Sequence, residues 1–335
     1  ATGFYNGTFG SSYPCIYIAI RRPMKTPEAG TEVFAAPEYT GNGSAGNKIT
    51  SNINMASGSM ALFSNTDASG NFRRLYDSLR GPGRFYYTNE PRAEATDSTG
   101  LVEFLQDGVT VNADSNVNGS GSTYSMFSFK RATGFMDVVC YIGTGSATTE
   151  AHNLGVTPEL MIIKRRDGAV HWSVYSAANT SAYNIALNQT DAKFDGASYW
   201  NATAPTSSVF TINTHTSVNA SSGTYTAYLF ATLAGVSKVG NYTGTGADLN
   251  VDCGFSAGAR FVMIKRTDSA GDWYTYDSVR GIVAGNDPYL LLNDTDADVT
   301  NTDFIDPLNA GFTATSNGSS TVNVDGGTYI FLAIA

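Results

Sequence analysis

The chain has 335 residues, enough for one large domain or two to three ordinary ones. Charged residues make up 15%, against about a quarter in an average globular chain. Ser, Thr, Asn and Gly fill the deficit, which is the makeup of many short strands joined by polar turns. The net charge of −9 argues against a general grip on nucleic acid, which needs a basic face, and no apolar run is long enough to span a membrane as a helix.

In chain order, the first stretch is a Gly-rich turn, Asn6-Gly7-Thr8-Phe9-Gly10, feeding the apolar run Cys15-Ile16-Tyr17-Ile18-Ala19-Ile20. The same turn-then-strand pattern returns from Asn118 to Phe129, from Asn219 to Phe230 and from Asn323 to Ile334. These runs are apolar at consecutive positions, which predicts strands central in a sheet and covered on both faces. Residues 1–20 therefore read as the terminal strand of a preceding, truncated repeat. That strand is a fragment of a longer protein, the ordered part of one, or a strand that completes a neighbouring sheet by addition. Residues 21–30 carry Pro23, Pro27 and Gly30 and read as a linker.

Three repeats follow, at 31–132, 133–235 and 236–335. The clearest shared stretch is Leu160-Met161-Ile162-Ile163-Lys164-Arg165-Arg166-Asp167 with Trp172. It returns as Phe261-Val262-Met263-Ile264-Lys265-Arg266-Thr267-Asp268 with Trp273. The offset is constant, about a hundred residues, as expected of a duplicated unit. Tyr39-Thr40-Gly41-Asn42-Gly43 matches Tyr141 to Gly145 and Tyr242 to Gly246, and Tyr76 to Gly81 matches Tyr276 to Gly281. Repeat 1 is divergent: Ser64-Asn65 stand where Lys265-Arg266 stand, and Phe72 falls near the Trp273 position. Each repeat offers roughly six to eight strand candidates bounded by turn residues, and none holds a long helical period. The expected fold class is all-β, with tandem antiparallel β-sandwich (jelly-roll-like) repeats.

A catalytic device serving each repeat should recur in each, and the histidines do not. His152 falls opposite Cys253, His171 opposite Asp272, and His215 has no His partner in the third repeat. No nucleophile elbow, zinc-ligand motif or phosphate loop is present. Cys15, Cys140 and Cys253 read as free, strand-borne and mostly buried. Asp294, Asp296 and Asp298 read as solvated turn residues rather than calcium ligands. Lys164-Arg165-Arg166 and Lys265-Arg266 could meet an anionic ligand, but a solvated strand end paired with Asp167 or Asp268 accounts for them. Trp172 and Trp273 could be sugar platforms, but recurrent strand aromatics are more often core, and Trp200 aligns near Phe304. The sequons at Asn179, Asn188, Asn201 and Asn241 follow from composition. The chain is thus expected not to be an enzyme, with no catalytic residue, metal or cofactor, and no ligand-binding residue is assigned.

The run Tyr-Thr-Gly-Thr-Gly, then Leu-Gly-Val-Thr-Pro-Glu-Leu-Met-Ile-Ile-Lys-Arg-Arg, Trp-x-x-Tyr, Leu-Asn-x-Thr and a closing Gly-Thr-Tyr strand resembles a tandem-repeat family. Its members are virion proteins of tailed bacteriophages, many of them marine and tail-fibre-like. The likeness is good over Tyr141 to Phe230 and Tyr242 to Ala335, and weaker before them. It implies a structural or adhesive virion protein, a tail fibre or spike part presenting sandwiches for attachment to host surface glycans. The alternatives are a purely structural virion component (head decoration or fibre shaft) and a carbohydrate-active module. The expected partners are further copies, in a homotrimer, and other virion proteins, with no membrane insertion.

Overall fold

A computed structural model describes residues 25–335. The terminal strand expected at 1–20 and the start of the linker lie outside the described residues. The rest is nearly all β: antiparallel sheets packed as sandwiches.

The second sandwich shows the plan most simply. Its larger sheet runs in the order Met136–Ile142, Thr224–Phe230, Leu160–Arg165, Ser173–Ser176. The pair Thr148–Ala151 and Val209–Ile212 forms the facing layer. The third sandwich repeats this with Ser237–Thr243, Thr328–Ile334, Phe261–Arg266, Trp273–Asp277 and Leu290–Leu291. Its facing layer is Leu249–Asp252, Gly311–Ala314 and Ile305–Leu308. In the first sandwich the order is Phe34–Ala35, Thr123–Phe129, Met60–Asn65, Arg74–Asp77, Arg84–Tyr87, Ala95–Thr96, with Glu38–Thr40 also on Thr123–Phe129. Asn47–Thr50, Gly108–Val111 and Leu101–Phe104 lie opposite.

The double-sided apolar runs explain how these sandwiches meet. Strand side chains alternate between faces. In the second sandwich Met161 and Ile163 turn into its own core with Phe210, Ile212 and Trp200. Leu160 and Ile162 turn the other way, into a core shared by all three sandwiches. Register makes the sharing specific. Met60, Leu160 and Phe261 pair with Phe129, Phe230 and Ile334 at corresponding places, and all six lie in the shared core. Phe34, Phe127 and Phe129 stand edge-on or tilted against Phe261, at centroid distances of 5.0 to 5.5 Å. An apolar cavity of about 40 Å³, lined from all three sandwiches, remains between them. The units are therefore not independent beads on a string.

Hydrogen bonds close them into a ring. Trp172 Nε1 donates to the carbonyl of Tyr87 in the first sandwich at 3.0 Å. Trp273 Nε1 donates to the carbonyl of Ala186 in the second at 3.0 Å. The pairings Phe63–Arg74, Ile163–Ser173 and Ile264–Tyr274 put Arg73, not Phe72, at the position of these tryptophans. Arg73 is fully buried and donates from Nε to the carbonyl of Leu291 in the third sandwich at 3.2 Å. The accepting carbonyls of Tyr87, Ala186 and Leu291 are themselves at one register position. Backbone bonds run round the ring in the opposite sense: Glu94 to Arg166 at 2.8 Å, Lys193 to Thr267 at 3.0 Å and Asp298 to Thr66 at 2.9 Å. Phe72, expected near the tryptophan position, falls one residue short of it. The structure instead keeps the donor and gives up the indole.

Trp273→Phe keeps the ring but strands a buried carbonyl, and should cost about 1–3 kcal/mol. Arg73→Met should cost more, because Arg73 also serves the carbonyls of Asn65 and Asp296. Urea unfolding midpoints check the order, and two parent-like midpoints would show that these bonds do not hold the ring.

Candidate functional site

The basic strand tips are the first candidates, and the structure divides them. Lys164 and Lys265 are fully buried. Lys164 Nζ donates to the carbonyls of Val170 at 2.8 Å, Arg165 at 3.2 Å and, across the interface, Pro91 at 3.2 Å. Lys265 Nζ donates to Gly271 at 2.6 Å and, across the next interface, to Thr190 at 3.0 Å. Burial pulls the two ammonium groups down to about 7 and about 8, while the ring of carbonyls favours the charged form. Arg165 and Arg266 do stand at the solvated end, paired with Asp167 at 2.8 Å and Asp268 at 2.9 Å. The solvated reading therefore holds for Arg165 and Arg266 and fails for the lysines, whose long stems reach inward to neighbouring backbone, and for Arg166, which is bound to Glu94 of the first sandwich at 3.0 Å. In the first sandwich Ser64 takes the lysine position, and a backbone donor, Gly70 N, reaches the carbonyl of Thr295 at 3.0 Å.

A second recurrent group lies beneath the Gly-rich turns. Asn118, Asn219 and Asn323 are fully buried. Asn219 Nδ2 donates to the carbonyls of Ser146 and Asn213, both at 2.7 Å, and its Oδ1 accepts from Thr144 N at 2.7 Å. Asn118 and Asn323 make the corresponding bonds, to Asn42 N and Thr245 N among others. Tyr141 and Tyr242 stack on Tyr225 and Tyr329 at 5.0 and 4.8 Å, and their hydroxyls donate to Val218 and Val322. The recurrent Tyr-x-Gly-x-Gly turn is thus latched to the last turn of each unit. The sequence showed these asparagines only as turn formers; their repetition six residues before Tyr124, Tyr225 and Tyr329 was the signal for a buried latch.

The remaining titratable candidates do local work. His152 is buried, with Nε2 at 3.0 Å from the carbonyl of Thr206. His171 Nδ1 meets Asn188 Nδ2 at 2.9 Å, where Asp272 meets Asn293 at 2.7 Å in the third sandwich. His215 caps a short helix through Ser217 N and stacks on Tyr199 at 3.8 Å. Cys253 is buried and Cys140 is exposed, so the expectation of burial fails for Cys140. Asp298 is bound to Arg280 at 2.7 Å, and the carbonyl of Asp296 receives Arg73. That aspartate run is part of the ring, not a freely solvated turn. Trp172, Trp200 and Trp273 are all buried in core. Asn179 and Asn188 are buried too, whereas Asn201 and Asn241 are exposed. Among the described residues no three His, Cys, Asp or Glu side chains already stand in a metal-holding arrangement, and no helix is long and apolar enough to cross a membrane.

A trough of about 480 Å³ lies between the edge strands Ser237–Thr243 and Leu249–Asp252 of the third sandwich. Lys238, Asn241, Asn250 and Asp252 line it over Phe331. Gly240 makes room for that ring, since a Cβ there would fall 2.6 Å from Phe331 Cζ. In the second sandwich Val139 and Ala227 take the corresponding places. The trough offers donors and acceptors of both signs on an aromatic floor, which suits a polar ligand.

Residues 29–335 match the model of a family described as a domain of unknown function (DUF7483), and the chain belongs to that family. The matched span runs through all three sandwiches. A search of curated proteins finds no match.

Asn219→Ala removes three buried hydrogen bonds and should cost about 3 kcal/mol, read as a lowered urea midpoint; a neutral result would show that the latch is incidental. Glu94 tests the ring by pH. Burial alone would raise its carboxyl, but the guanidiniums of Arg166 and Arg80 outweigh that and hold it below its usual range. Its contribution is therefore present above the ordinary carboxylate range and is lost as pH falls through the lowered value. Between about pH 5 and about pH 3 the parent midpoint should drop more steeply than that of Glu94→Gln. Parallel profiles would contradict this.

Proposed function

We propose that the chain is a structural and adhesive component of a bacteriophage virion, most simply a tail fibre or spike part that offers its surface to host glycans. The observation that carries this reading is where the recurrent residues go. Lys164, Lys265, Trp172, Trp273, Asn219 and Asn323 are all consumed by internal packing. What differs between sandwiches, such as Gly240 with Phe331 against Val139 with Ala227, lies at edges and loops. A fixed frame with variable edges suits recognition, in which loops on a rigid scaffold change without loss of fold. Three sandwiches in one chain, multiplied by homotrimer formation on the particle, would turn weak sugar contacts into useful avidity.

The test is competition. Purified protein should bind host cells, block adsorption of the parent particle and lose that binding when surface glycans are stripped. Antibody labelling should find it on the tail. Labelling on the head, with no cell binding, would replace this reading with that of a purely structural component. Release of saccharide from host glycan would overturn the non-enzymatic role.

A further inference from the structure

The trough of the third sandwich owes its depth to one residue. Ser237–Thr243 and Leu249–Asp252 are outer strands, each paired on one side only. Side chains alternate along Ser237–Thr243. Val239 turns into the shared core and Tyr242 into the core of the third sandwich, so Lys238 and Gly240 face as Tyr242 does, into the gap between the two sheets. Gly240 puts no side chain there, and Phe331 closes the floor. In the other two sandwiches the place is filled, by Pro37 beside Met126 and by Val139 beside Ala227.

Unused hydrogen-bonding capacity gathers around this opening. Asn250 Oδ1 accepts from Thr313 Oγ1 at 2.8 Å, which leaves its two N–H groups to the trough. Asp252 Oδ1 accepts from Gly254 N at 2.7 Å and leaves Oδ2 over. Glu159 reaches in from the second sandwich, holding Thr232 N with Oε2 at 2.5 Å and leaving Oε1 over. Asn241 is exposed at the rim, and Lys238 forms no ion pair among the described residues.

The charges select the ligand class. Two carboxylates repel a sugar acid or a phosphate, and the ammonium repels an amino cation. An uncharged polyol meets neither penalty, and each hydroxyl both donates and accepts. Its hydroxyls can donate to Glu159 and Asp252 and accept from Lys238, and hydrogen bonds to charged groups are the stronger kind. A peptide strand is the poorer occupant. Thr232 Oγ1 already accepts from Val239 N at 3.2 Å and donates to the Val239 carbonyl at 3.3 Å, which blocks the strand edge that a peptide would pair with.

We propose that this trough binds an uncharged sugar unit of a glycan, held by Lys238, Asn241, Asn250, Asp252 and Glu159 over Phe331. The proposal rests on the reading of the chain as an attachment protein and gives that reading one site, at the junction of the second and third sandwiches.

Saturation-transfer NMR on the full chain tests it, with the methyl glycosides of glucose, galactose, mannose and N-acetylglucosamine, and with glucuronic acid and glucosamine as charged counterparts. At least one uncharged glycoside should bind with a Kd of about 1–10 mM, and the charged sugars should bind about tenfold more weakly. Lys238→Gln and Asp252→Asn should each weaken binding about fivefold or more with a parent-like urea midpoint. The pair Gly240→Val with Phe331→Ala copies the second sandwich and should abolish binding. No binding of any uncharged glycoside up to about 50 mM would overturn the proposal. So would equal binding of the charged sugars, or binding that all these variants retain. Host-cell binding that survives in the variants would remove this site and leave the attachment reading standing, whereas a parent chain that binds no cells would remove both.

Discussion

A buried backbone carbonyl at the edge of each sandwich needs a donor, and the next sandwich supplies it. Trp172, Trp273 and Arg73 perform this one task at one register position. The bond goes round the chain and closes, so no sandwich is a free end. The apolar faces around Leu160, Ile162, Phe230 and their counterparts are buried only because the ring closes. A sandwich alone would leave that face in water, at about 25 cal/mol for each Å² exposed.

Seen this way, the divergence of the first sandwich is an exchange of means. It has lost the lysine and the tryptophan, whose combined work is to fill space and to satisfy carbonyls in its neighbour. Arg73 fills the tryptophan position and donates to two carbonyls of the third sandwich, while Gly70 N serves the carbonyl of Thr295 without a lysine, where Gly271 N and Lys265 both serve that of Thr190. Arg80 and Arg280 add a related device, each held by an aspartate three residues earlier at 2.5 Å. Arg80 stacks on Tyr86 and reaches Tyr228 of the second sandwich. The second sandwich has no such arginine; there Lys193 reaches Asn179 at 3.1 Å.

Much of the fold was legible in the sequence. Alternating faces that are both apolar announce a strand covered twice, and Leu160 to Ile163 is such a strand. The all-β class, the turns and the core role of the tryptophans follow from local pattern. What was not legible is the partner on the second face. A strand pattern says that cover exists, not whether a second sheet of the same unit or a neighbour provides it. For the same reason Lys164 read as a surface residue: its inward course depends on the carbonyl of Pro91, which lies far back in the chain. Arg73 escaped notice because sequence comparison seeks like residues, whereas the site needs only a buried donor.

The central claim is that the ring, not the single sandwich, is the folding unit. The most direct measurement is to express the second sandwich alone, residues 133–235, and follow its unfolding by urea, near-ultraviolet circular dichroism and light scattering. The ring account requires that it show no cooperative transition as a monomer, and either stay loosely packed or associate through its exposed apolar face. A monomer with fixed aromatic signals and a sharp transition would contradict it.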